Sequence, residues 1–109
     1  FLRKSIRRSR LLVLAAERLP EDAARRLQDD PIYWLVRRES VDVVARALEA
    51  LDPEHRRLIE AKYVEGMTYQ AIARRLGVPR HVAEYRVTVA KRLLRGLLVD
   101  SGLEEEDVP

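Results

Sequence analysis

Apolar and polar positions recur with a helical period along almost the whole chain. Leu2, Ile6, Val13, Ala16 and Leu19 fall near one face of an amphipathic helix running from Leu2 to about Leu19. A short helix follows from Pro20 to Gln28. Asp30 is a suitable N-cap for a helix opening at Pro31, which either continues to Leu51 or breaks near Glu39–Ser40. Val41, Val44, Leu48 and Leu51 form its apolar stripe. Asp52 is expected to cap the next helix at Pro53, with Leu58, Ile59 and Tyr63 inward and Gly66 at its end. Pro20, Pro31, Pro53 and Pro79 each suit the first turn of a helix. No alternating strand pattern and no internal repeat stands out, so the pattern predicts an all-α fold.

The stretch from Gly66 to Val87, "GMTYQAIARRLGVPRHVAEYRV", holds two short amphipathic segments around one glycine. Thr68 is a natural N-cap for the first. Ile72 and Leu76 face one way, and the small Ala73 lets a second helix cross closely. Gly77 sits where a helix stops and turns, Val78 plugs the turn, and Pro79 opens the next helix with its φ already set. In that helix Val82, Ala83, Val87, Ala90 and Leu94 repeat toward the core, and Arg80, His81, Glu84, Tyr85 and Thr88 take the other side. Two helices joined by a short glycine turn form a helix-turn-helix.

Charge sharpens this picture. The net charge of +3 conceals a segment from 74 to 95 with seven Lys/Arg against Glu84 alone, and a stretch from 99 to 109 with five acids and no base. A basic cluster of that density is what a phosphate-binding face needs, although a solvated helix face has the same composition. The acidic end, "LEEEDVP", has little to bury and is expected to be a flexible tail.

Several classes fall away. With no cysteine there is no disulfide framework or thiolate metal site. The basic opening "FLRKSIRRSRLLVLAA" resembles a signal peptide, but its apolar run, Leu11–Ala16, is shorter than the roughly 7–15 residues of a signal core. No segment approaches the ~20 residues of a membrane span. The chain opens on Phe1 rather than methionine, so its true N-terminus is expected to lie upstream. There is no glycine-rich phosphate loop, nucleophile elbow, HExxH or paired carboxylates with a base, so an enzyme is not expected. His55 and His81 are isolated, and neither a metal nor a cofactor is expected.

"LDPEHRRLIEAKYVEGMTYQAIARRLGVPRHVAEYRVTVAKRLL" resembles region four of bacterial sigma factors. The likeness covers about residues 51–98. It rests on Leu51, Pro53, Arg56, Tyr63, Glu65, Gly66, Thr68, Ile72, Ala73, Leu76, Gly77, Val78, Val82, Arg86 and Ala90. Two positions depart: Ala71 replaces the family's acidic residue, losing the capping box with Thr68, and Pro79 replaces a Ser or Thr cap. The first fifty residues resemble no other part of a sigma factor. In place of the aromatic cluster that traps flipped bases they hold only Tyr33 and Trp34, read as a buried aromatic pair. The layout is similar to phage-encoded transcription activators of the ArpU-like and RinA-like kind. The division expected is a helical N-terminal segment over 1–50 for packing or oligomerisation, a helix-turn-helix domain over 51–98 and the tail over 99–109.

The resemblance implies a cytoplasmic, sequence-specific reader of double-stranded DNA that regulates transcription. The helix opening at Pro79 fits a major groove about 12 Å wide, with its N-terminal end toward the base edges. Arg80 suits guanine, Glu84 a cytosine amino group, and His81, Tyr85 and Thr88 a methyl contact or a further hydrogen bond. Arg74, Arg75, Arg86, Lys91 and Arg92, with the backbone N–H groups of Thr68 and Tyr69, suit phosphates. Local readings stand beside these: Glu84 pairs with Arg80, Tyr85 packs on the N-terminal helices, and Arg86 braces the helices. Other partners implied are RNA polymerase, anti-sigma proteins and a second copy through the N-terminal helices, with no membrane. The alternatives in function are a polymerase or anti-sigma interaction module, part of a sigma factor, and a small terminase-type DNA-packaging protein.

Overall fold

The computed structural model describes residues 2–106, which form seven helices: α1 (Leu2–Ala16), α2 (Glu21–Arg26), α3 (Pro31–Arg38), α4 (Val41–Ala50), α5 (Pro53–Ile59), α6 (Tyr69–Leu76) and α7 (Arg80–Glu106). α5 runs on into a π-helical turn, Glu60–Val64. There is no strand among the described residues, and the fold is all-α as expected.

The helix starts follow from local chemistry. The Asp30 carboxylate accepts from the Ile32 N–H at 2.9 Å, and Pro31 supplies the first-turn φ. The break at Glu39–Ser40 is real, because the Ser40 hydroxyl accepts from the Val43 N–H at 3.2 Å and starts α4 afresh. The expected Asp52 cap does not form: its side chain makes no capping bond and lies 3.7 Å from His55 instead. Arg56 does related work, donating from Nε to the Leu48 carbonyl at 3.0 Å and from Nη2 to the Leu51 carbonyl at 3.1 Å. It thereby fills orphan acceptors at the end of α4 and fixes α5 against it.

α7 is the spine. Ala83, Val87, Ala90, Leu94 and Leu98 recur on one face and are buried, with α3, α4, α5 and α6 packed around it. α1 lies across α4 and the π turn, burying Ser9 and Val13. The Ser9 hydroxyl donates to Glu49, and Arg10 pairs with Asp42 at 3.0 Å. The side chain of Leu2 lies outside the described residues.

Two expectations change here. Tyr33 is buried, but Trp34 is 49% exposed, edge-on to Tyr33 with ring centroids 5.1 Å apart and its indole N–H donating to the Gln28 carbonyl at 2.7 Å. The aromatic neighbours are therefore not a buried pair. α7 also continues as helix to Glu106, into the segment read as a tail. Residues 107–109 lie outside the described ones.

Candidate nucleic-acid interface

The turn between α6 and α7 is built as its residues dictate. Gly77 has φ +68° and ψ +36°, the left-handed conformation that only glycine takes without cost. The Val78 N–H donates to the Ala73 carbonyl at 3.1 Å and the Gly77 N–H to the Arg74 carbonyl at 3.3 Å, the two bonds of a Schellman motif. At the start of α6, the Thr68 hydroxyl accepts from the Ala71 N–H at 3.1 Å. The Tyr69 and Gln70 N–H groups have no partner among the described residues and point out of the helix end.

α7 then presents its N-terminal half. Arg80, His81, Tyr85, Thr88 and Arg92 are exposed, Tyr85 at 70%, while Ala83, Val87 and Ala90 at the back are buried. Tyr85 does not pack on the N-terminal helices. Glu84 is partly buried and sits 3.7 Å from Arg80, one turn away, so the local reading of that pair is what the structure shows. An exposed pair of this kind is worth little and is easily opened by a ligand. Arg74, Arg86 and Arg92 are exposed and take no side-chain partner among the described residues. Arg86 lies round the helix from Tyr85, on the rim of a groove between α5 and α6 with a volume of about 240 Å³. Leu58, Ala61, Ile72 and Leu76 line its apolar part, and Arg57, Arg75, Glu54, Glu60 and Glu65 also border it.

Two residues expected on phosphates take partners within the chain. Lys91 is partly buried and donates to the Tyr69 hydroxyl at 3.1 Å and to Asp30 at 3.2 Å. Burial alone would push the Lys91 ammonium down, but Tyr69 and Asp30 outweigh it and hold it above the ordinary lysine value. It faces the core because it lies between Val87 and Leu94 on the buried stripe. Arg75 is bidentate with Glu65, at 3.0 and 3.3 Å. Lys91 is thus held inward, whereas the Arg75–Glu65 pair is as exposed as Arg80–Glu84 and as easily opened by a ligand.

Asp30 is a hub: besides Ile32 and Lys91 it accepts from the Tyr63 hydroxyl, which burial first and this bond second push above the usual phenol range. Lys62 was not a sequence candidate. It is 8% exposed, with its ammonium 4.1 Å from the centre of the Tyr69 ring. The π turn adds one residue to the helical circuit, so Lys62 and Tyr63 both turn inward. A 3.6-residue period carries no sign of that.

A glycine-turned pair of helices, the second one basic and open on its outer side, defines a DNA-binding helix-turn-helix. Residues 42–97, just over half the chain, match the model of the family described as sigma-70, region 4, and the chain belongs to that family. Such domains bind DNA and RNA polymerase, and their fold is not an enzymatic one. The match begins in α4, ahead of the expected start at residue 51. No curated protein and no solved structure matches the chain. Among the described residues no helix is long and apolar enough to cross a membrane, and no three metal-ligating side chains cluster.

Proposed function

We propose that this chain is a sequence-specific, double-stranded-DNA-binding regulator of transcription that reads the major groove with the first half of α7. The observation that carries this is the stripe of Arg80, His81, Tyr85, Thr88 and Arg92, exposed on a helix whose opposite face is sealed in the core. A rigid helix presenting free donors suits direct readout. Arg80, His81, Glu84, Tyr85 and Thr88 take the base edges. Arg74, Arg75, Arg86 and Arg92, with the helix end at Thr68 and Tyr69, take phosphates.

The groove beside Arg86 supports a second contact, with RNA polymerase, because Leu76 is exposed there among charged side chains. Leu11 and Leu14, exposed on the outer side of α1, support a homodimer through the N-terminal helices. Selection of bound duplexes from a random pool tests the central reading. Enrichment of one motif supports it, in inverted repeat for a symmetric dimer and singly for a monomer. A pool that stays random overturns sequence-specific reading.

A further inference from the structure

We infer that the N-terminal segment is itself part of the DNA-binding surface: Arg26 of α2, with Lys62 and the start of α6, forms a seat for one backbone phosphate. The inference rests on the proposed reading of α7 and adds to it Arg26, which lies outside the matched family region.

Packing places Arg26 there. Gly66, the residue that turns the chain toward α6, has φ +68°, and a Cβ on it would lie 2.7 Å from the Ala23 Cβ. α2 therefore sits hard against this turn. From that position the Arg26 Nη2 donates to the Gly66 carbonyl at 2.8 Å. This bond fixes the guanidinium beside the approach to Thr68 and leaves its other donors unused.

Lys62 points to the same place. It is more than nine-tenths buried, has no hydrogen bond or ion pair among the described residues, and lies over the ring of Tyr69, the first residue of α6. The side chain is held in the core while its ammonium has no carboxylate partner, and Lys91 and Arg26 add further positive charge. Burial, then Lys91, then Arg26 push Lys62 below the ordinary lysine value, while Asp30 and Glu84 pull it back only in part. Asp30 is already spent on Ile32, Tyr63 and Lys91. The cluster has more positive charge than its own carboxylates balance. An anion at the free Tyr69 and Gln70 N–H groups supplies what is missing, and the helix dipole favours it there. Because Tyr69 opens α6 and α6 packs on α7, the seat lies beside the reading stripe, where a backbone phosphate passes when α7 is in the groove.

The test uses the whole chain on a selected and a scrambled duplex, with affinity measured across a salt series. Each phosphate contact contributes about 0.9 to the slope of log affinity against log salt. Arg26→Gln and Lys62→Met are each expected to lower the slope by about that much on both duplexes and to keep the preference between them. Arg25→Gln, on the neighbouring residue paired with Glu21, is expected to keep the parent slope. Arg26 is exposed, so its variant folds, and a buried structural role for Lys62 would lower the melting temperature without moving the slope. A parent slope in Arg26→Gln beside a lowered slope in Arg86→Ala overturns the inference and leaves the reading of α7 standing. No affinity of the parent for any duplex overturns both.

Discussion

Lys91 of α7 and Asp30, the cap of α3, are 3.2 Å apart, and this contact ties the reading helix to the N-terminal segment. The side chains are 20% and 11% exposed, so solvent screens them little. Removing one partner leaves the other charge stranded. Asp30→Ala should therefore cost on the order of 3 kcal/mol, part of it from the lost cap. Urea unfolding measures it, and a loss below about 1 kcal/mol would show that the hub is not holding the segments together.

The same contact separates a structural cation from a DNA contact. Lys91→Met keeps the stem packed between Val87 and Leu94 but removes the charge. The slope of duplex affinity against salt should stay at the parent value. A fall of about one would return Lys91 to the phosphate contacts.

Alkaline pH should loosen the same hub. Tyr63 holds its proton more tightly in the folded chain than the ordinary phenol value of 10.0, and Lys91 more tightly than the ordinary lysine value of 10.5. Above about pH 10 the unfolded chain thus binds fewer protons at these groups, and stability falls as pH rises. Lys62, shifted down, acts in the opposite sense up to its ordinary value of 10.5. Tyr63→Phe removes the largest of these contributions. Comparing urea midpoints near pH 9 and pH 11 should show a smaller decline in Tyr63→Phe than in the parent; equal declines would contradict the assignment.

The two left-handed glycines should differ in their tolerance. Gly77 has open space where a Cβ would go, so Gly77→Ala meets only the φ penalty, about 1–2 kcal/mol. At Gly66 the same penalty is joined by a clash with Ala23, and Gly66→Ala should cost roughly 2–4 kcal/mol. Thermal or urea unfolding of both variants gives the order, and a costlier Gly77→Ala would refute it.

What the sequence made legible was local. Thr68, Gly77 and Val78 do what their residue types require of a cap, a left-handed turn and a plug, because the bonds they make span only a few residues. The buried stripe of α7 was equally plain from its period. At Lys91 charge and position point different ways: an ammonium suits a phosphate, but the residue stands four after Val87 and three before Leu94, on the core side. Its partners, Asp30 and Tyr69, are distant in sequence, as is the Glu65 that takes Arg75. Lys62 was hidden by the π turn, which breaks the period that a sequence reading relies on. Asp52 had the right residue type for a cap, but its side chain turns toward His55.

The most direct test of α7 as the reader compares Arg80→Ala and Arg86→Ala on a selected and a scrambled duplex at several salt concentrations. Arg80 is on the first turn of α7, held only by an exposed contact to Glu84, whereas Arg86 lies round the helix toward α5 and α6. Arg80→Ala should lose roughly 1–3 kcal/mol on the selected duplex and relax the choice of base at one position. Arg86→Ala should weaken both duplexes alike and lower the salt slope by about one. If Arg80→Ala binds both duplexes as the parent does, α7 does not read the groove.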